Sequence, residues 1–156
     1  MNVATHATPA GPFTIVADDD GTVLASGWTT QLGEGTRRRR DVGPASAALR
    51  SYLRGDLDAI DAVAVRQTSG PVVERGWQVL RGLRGGEVIT YTELARRCGV
   101  PGSARAASAA CGRNAVALFV PCHRVVRTGG ALGGFRWGLD VKRWLLEFER
   151  ARAVRQ

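Results

Sequence analysis

The sequence predicts an α+β chain, with a small N-terminal sheet lobe over residues 1–68 followed by a mainly helical lobe over residues 69–156. Three observations carry this prediction. Short β-branched runs separated by turn residues fill the first part, linker composition appears at Ser69-Gly70-Pro71, and apolar residues at helical spacing take over beyond it. A chain of 156 residues is long enough to bury a hydrophobic core in one domain or in two small lobes.

His6 reads as part of a mobile terminus. Pro12 to Ala17, an Asp18-Asp19-Asp20-Gly21 turn, and Thr22 to Ser26 read as a β-hairpin. Residues 29–43 lack periodicity and read as a surface loop, with Arg37-Arg38-Arg39-Arg40 as a solvated charge run rather than a contact surface. Ala45 to Leu53 is a short helix, and Ala59 to Val65 is expected to return to the sheet as a strand. In the second part Val73, Trp77, Leu80 and Leu83 mark a helix. Thr90 and Glu93 form a capping box for the next, which runs to about Arg97. Cys98 to Gly102 breaks the chain, and Ser103 to Cys111 is a further helix closed by Gly112. Two short helices around a glycine turn suggest helix-turn-helix geometry. The second is slim: alanines and Ser108 surround a single large side chain, Arg105. Taken alone, that composition favours a tightly packed interior helix over one that enters a groove.

The formal charge of +8 is unevenly placed. Residues 1–100 carry 12 basic and 11 acidic side chains, whereas residues 101–156 carry 10 and 3, so the basic partner surface belongs to the last third. All but one of the 22 cations are arginine, which suits bidentate and stacking contacts to phosphates and bases and also fits a GC-rich coding bias. No apolar run approaches the ~18 residues of a membrane span, and the start lacks signal-peptide character, so the expected location is the cytoplasm, away from any membrane. Cys98, Cys111 and Cys122 lack CxxC spacing, which argues against a disulfide framework and a zinc site; no metal and no cofactor is expected.

The chemistry concentrates after Ala115-Val116-Ala117-Leu118-Phe119-Val120, an apolar run read as a buried extended segment that ends in Pro121-Cys122-His123-Arg124. His6 and His123 are the only histidines, so His123 is the candidate base and Cys122 the candidate nucleophile. Such a thiol needs positive charge or a base to lower a free pKa of ~8.5, and His123 with Arg124 offers both. Consecutive residues of an extended chain point apart, so a water would have to bridge sulfur and imidazole. The base also needs a carboxylate to hold its tautomer. The final helix, capped by Asp140 and striped by Val141, Trp144, Leu145 and Phe148, leaves both Glu147 and Glu149 eligible. Cys98 and Cys111 read as inert core residues.

Pro121-Cys122-His123-Arg124-Val125-Val126, the preceding stretch Arg105 to Asn114, and Gly133-Gly134-Phe135-Arg136-Trp137-Gly138 together strongly resemble the O6-alkylguanine-DNA alkyltransferases, the Arg-Trp-Gly stretch being most like Ada-type methyltransferase domains. The likeness is strong over residues 73–150 and weaker but collinear over residues 9–67. It implies a ribonuclease H-like first lobe and a winged-helix-like second one. It implies Cys122 as alkyl acceptor, His123 as water-linked base, Glu149 as its orienting carboxylate and Asn114 as a hinge. Tyr91 and the Val125 carbonyl then meet the guanine, beside Phe135, Arg136 and Trp137 in the pocket. Arg105 fills the gap left in the duplex, and Ser103, Ala104, Ser108 and Thr128 contact the DNA backbone. The implied partner is double-stranded DNA carrying O6-alkylguanine, approached through the minor groove by a monomer; Phe135 stands where many members of the family have tyrosine. The implied reaction is direct, irreversible transfer that ends after one turnover, because an alkyl thioether has no good leaving group. A non-catalytic module that flags alkylated bases and a multiple-turnover thiol hydrolase are the alternatives.

Overall fold

The computed structural model describes residues 1–153, so the last three residues of the expected 69–156 lobe lie outside the described residues. The chain divides into two compact units, Met1–Gln67 joined by Ala115–Phe119, and Thr68–Asn114 joined by the residues from Val120 onward.

In the first unit β1 (Asn2–His6), β2 (Phe13–Ala17), β3 (Val23–Gly27) and β4 (Arg37–Arg38) form one sheet in the order β3-β2-β1-β4. Strand β2 lies centrally and all five of its residues are buried, as its unbroken apolar and threonine sequence dictates. The expected hairpin is β2–β3, turned by Asp18, whose Oδ1 accepts from the backbone N–H of Asp20 and Thr22. The terminus expected to be mobile is instead β1: His6 pairs with Phe13 across the ladder, and its Nε2 lies 2.7 Å from the Ser46 hydroxyl. Within the arginine loop, Arg37 and Arg38 pair in parallel with Asn2 and Val3 through their backbones while their side chains stay exposed.

Helix α1 (Pro44–Leu53) follows, with proline at its first position. The strand expected over residues 59–65 does not form. Leu57–Ala62 is a 3-10 helix that buries Leu57 and Ile60, three residues apart as that helix requires, and only Val65 bridges to β3 at Val23. The apolar run after Asn114 supplies an edge to the same sheet: Val116 bridges Ser26, whose hydroxyl donates to the Ala117 carbonyl at 2.9 Å. Leu118 then turns the chain at φ 73°, the sole left-handed non-glycine among the described residues.

The second unit holds α2 (Pro71–Arg81), β5 (Ile89–Thr90), α3 (Tyr91–Arg97), α4 (Ala104–Gly112), a 3-10 turn (Cys122–Arg124), β6 (Val125–Val126) and α5 (Leu139–Ala153). Strands β5 and β6 pair in parallel. Thr90 caps α3 by accepting from the Glu93 N–H at 3.1 Å, but the reciprocal half of the capping box is absent because Glu93 holds Arg96 and Arg97 instead. Ser103 caps α4. The small residues of α4 serve the close approach to α2, where a Cβ on Gly76 would lie 2.6 Å from the Ala110 Cβ and Trp77 Nε1 donates to the Ala110 carbonyl at 2.8 Å. On α5 the buried stripe is Lys142, Leu145 and Glu149, while Val141, Trp144 and Phe148 are only half-buried. Asp140 lies inside the first turn rather than capping it. No helix among the described residues is long and apolar enough to cross a membrane.

Replacing Gly76 by alanine should destabilise the chain. The ~1 kcal/mol gained in helix propensity is outweighed by an overpacking cost of ~1–3 kcal/mol, because the obstructing Cβ is fixed to backbone. Urea unfolding of G76A checks this through a lowered midpoint.

Candidate active site

Cys122 opens the 3-10 turn, so residues 122–124 are not extended and their side chains fan out at about 120° intervals. Cys122 is 8% exposed and lines a cavity of about 280 Å³ together with Cys111, Asn114, Phe135, Arg136 and Trp137. A larger cavity of about 370 Å³, around Gly86, Val88, Leu146 and Glu147, is lined by no thiol. Asn114, buried just beyond the end of α4, donates its amide to the Val120 carbonyl at 2.8 Å and also hydrogen-bonds the Cys122 sulfur. The side chain that closes off the 115–119 excursion thus also steadies the Cys122 thiol.

His123 is fully buried, and its Nε2 lies 2.7 Å from Glu149 Oε2. An ionised carboxylate only accepts, so Nε2 carries the proton and Nδ1 keeps a lone pair. That Nδ1 is buried without a hydrogen-bond partner among the described residues. Periodicity left Glu147 and Glu149 open; Glu147 is exposed and Glu149 is buried against the imidazole. Glu149 also receives Arg124, through Nε at 2.8 Å and Nη2 at 3.1 Å, and Arg124 Nη1 donates to the Leu83 carbonyl. Arg124 is therefore spent on the carboxylate. It does not supply the cation for the thiol that the sequence suggested.

The electrostatics follow from burial. Burial pushes the Cys122 thiol up, against the Asn114 hydrogen bond and the positive charges of Lys142 and Arg136. Burial also lowers His123, against the pull of Glu149, so the imidazole is neutral. Burial favours a protonated Glu149, but His123 and Arg124 outweigh it and hold the carboxyl well below the usual range. The resting pair is accordingly a thiol beside a neutral imidazole with a free lone pair. Such a pair ionises when a proton can move from sulfur to nitrogen.

Tyr91 begins α3, and its hydroxyl is pushed up to about 12, chiefly by burial and then by the Cys111 and Cys122 thiols. A Cβ on Gly133 would stand 2.9 Å from the Tyr91 ring, so the glycine lets the loop lie against the phenol. Arg136 donates to the Gly112 carbonyl at 2.8 Å and stands 5.8 Å over the Trp137 ring. The Val125 carbonyl already accepts from Lys142 Nζ at 2.8 Å, which leaves one lone pair for another donor. Lys142 is the residue that sequence reasoning missed, and its signal was its singularity: the other 21 cations are arginine. On α4, Ala104, Arg105 and Ser108 are exposed while Ala107 and Ala110 are buried, so the slim helix packs on one side and offers its arginine on the other. Ser103 is half-buried as the cap, and the exposed Thr128 lies 3.4 Å from Thr92, hydroxyl to hydroxyl.

Residues 71–151 match the family model of the 6-O-methylguanine DNA methyltransferase DNA-binding domain, a span that includes every residue of this site. The chain is 35% identical over 157 aligned residues to the methylated-DNA–protein-cysteine methyltransferase of Salmonella typhimurium, covering 92% of each chain. This chain belongs to the 6-O-methylguanine DNA methyltransferase family. Within it, the regulatory protein ada of Salmonella typhimurium is 48% identical over 73 residues, 47% of this chain and 21% of that one. The crystal structure of Mycobacterium tuberculosis OGT in complex with DNA superposes with a TM-score of 0.84 at 30% identity, over 97% of this chain and 94% of that one.

The buried carboxylate sets a pH dependence. Glu149 is depressed in the folded chain, so its contribution is intact above its ordinary value of 4.5 and is lost as pH falls from there toward the native value. Glu149→Gln should cost about 3–5 kcal/mol at neutral pH by stranding Arg124. It should also flatten the stability loss below pH 4.5, read as melting temperature against pH for both chains.

Proposed function

We propose that the chain repairs alkylated DNA by direct reversal, moving the alkyl group from O6 of guanine in double-stranded DNA onto the Cys122 sulfur in a single turnover. The observation that carries this reading is the pairing of a cavity-lining thiol with an adjacent buried imidazole whose Nε2 is fixed to Glu149, leaving Nδ1 as the acceptor. His123 Nδ1 takes the Cys122 proton through a water, and the sulfur attacks the alkyl carbon. The carbon–O6 bond breaks with its electrons passing to the guanine, and the departing base takes up the equivalent of the proton that the sulfur lost. A thioether remains on the protein, and no group in the site can displace it.

An O6-alkyl carbon inside a duplex is out of reach, so the base must leave the stack at a cost of a few kcal/mol. Exposed Arg105 on the slim α4 suits insertion into the vacated space from the minor groove, with Ser103, Ala104, Ser108 and Thr128 against the backbone. Tyr91 and the remaining Val125 lone pair suit the edge of the extruded guanine. The concentration of cations beyond residue 100 supplies the phosphate attraction. The same reading places the chain in the cytoplasm as a monomer, where reduced thiols persist.

Three assays test the reading. Cys122→Ala should abolish methyl transfer from a duplex carrying O6-methylguanine while duplex affinity stays within error of the unsubstituted chain; loss of both would mark the cysteine as structural. Arg105→Ala should slow transfer about tenfold or more, since an inserted cation offsets an unstacking cost of a few kcal/mol. Phe135 and Trp137 narrow the cavity, so O6-methylguanine should inactivate the chain faster than O6-benzylguanine, and equal rates would contradict the assignment of those walls.

A further inference from the structure

We propose that Lys142 is a positioning residue for the transfer: its ammonium ties the Val125 carbonyl, three residues beyond the acceptor thiol, to the Gly134 carbonyl of the cavity wall, and sets a fixed positive charge in the same site as the sulfur. The proposal rests on the reading of Cys122 as acceptor.

Lys142 is the one lysine in a chain with 22 basic residues, and its side chain is fully buried. An ammonium in that position costs several kcal/mol of desolvation, which a leucine or methionine at the same point of the α5 stripe would not incur. The cost is offset locally. Nζ donates to the Val125 carbonyl at 2.8 Å and to the Gly134 carbonyl at 3.2 Å, and it lies 6.0 Å from the centre of the Tyr91 ring. Gly134 lines the same cavity as Cys122, and Val125 follows the turn that Cys122 opens. A single tetrahedral cation therefore joins the acceptor segment, the cavity wall and α5. The planar guanidinium of arginine projects donors in a flat fork and is bulkier, which accounts for lysine in a chain that otherwise uses arginine.

The charge faces a defined set of groups. Burial works against the ammonium, while the thiols of Cys111 and Cys122 favour it when ionised. Cys122 in turn meets Lys142 and Arg136 as cations, and Asn114 as a hydrogen-bond partner. His123 is neutral, and Arg124 is neutralised by Glu149. Lys142 and Cys122 thus form a pair in which each charge supports the other, within a site whose remaining buried charges cancel. Sulfur ionisation and the shape of the wall that confronts the alkyl group depend on one side chain.

The test measures iodoacetamide labelling of Cys122 against pH, by peptide mass spectrometry, alongside single-turnover transfer from an O6-methylguanine duplex. For Lys142→Met the labelling midpoint should rise by about one unit and transfer at neutral pH should slow about tenfold. Lys142→Arg, which keeps the charge, should hold the midpoint nearer to that of the unsubstituted chain. An unchanged midpoint in K142M, or equal shifts in both variants, overturns the proposal. A second measurement needs no variant. Labelling with 15N-lysine yields one side-chain signal, and its titration should move to lower pH once Cys122 carries a methyl group or a carbamidomethyl group in place of its anion. A titration indifferent to alkylation also overturns the proposal. Failure of the unsubstituted chain to accept methyl on Cys122 would instead sink the repair reading, and the labelling arm still decides the role of Lys142.

Discussion

The site depends on one buried carboxylate. Glu149 is 1% exposed and accepts from His123 through one oxygen and from Arg124 through both. Each contact does a different job. Arg124 balances the charge, without which the carboxylate would take a proton at this depth. The imidazole contact fixes which nitrogen carries hydrogen, so that Nδ1 is left with a lone pair. If Glu149 were neutral, its carboxyl could donate as well as accept, and the tautomer would no longer be dictated. The position of Arg124 is set in turn by the Leu83 carbonyl, so the base is oriented by a chain of hydrogen bonds that runs from α5 to the segment after α2.

A second constraint acts on the backbone. The segment Ala115–Phe119 belongs to the sheet unit, while Asn114 and Val120, on either side of it, belong to the helical one. The Asn114 amide closes that excursion by bonding the Val120 carbonyl, and Leu118 accepts a left-handed conformation within it. Cys122 follows two residues later in a 3-10 turn, where side chains separate widely enough for His123 and Arg124 both to reach Glu149. Burial pushes the sulfur toward its protonated form, against Asn114 and Lys142. On the proposed reading, a thiol held in this way gives up its proton only when the alkyl carbon is in place.

Much of this was legible in the residues. The β2–β3 hairpin, the proline-started helices and the Thr90 cap follow from local rules, and Pro121-Cys122-His123-Arg124 after an apolar run announced the site. What escaped the sequence were choices made by tertiary contacts. His6 looked terminal but is held by the ladder and by Ser46, forty residues away. Residues 59–65 had strand composition, yet Leu57 and Ile60 reach the core better from a 3-10 helix. On α5 apolar periodicity favoured Val141, Trp144 and Phe148, but the buried face belongs to Lys142, Leu145 and Glu149, because those charges have partners waiting at His123 and Val125. Pattern reading places polar residues outside; only the partners reveal that they lie inside. Arg124 likewise adjoins Cys122 in the chain and serves Glu149 in space.

The central claim concerns where the alkyl group ends. Peptide-mapping mass spectrometry, after incubation with a duplex bearing one O6-methylguanine, tests it most directly. The account predicts one added methyl per chain, confined to the peptide containing Cys122, with Cys98 and Cys111 unmodified and the duplex restored to guanine. A chain that restores the duplex yet returns unmodified, or carries its methyl on another residue, would contradict it.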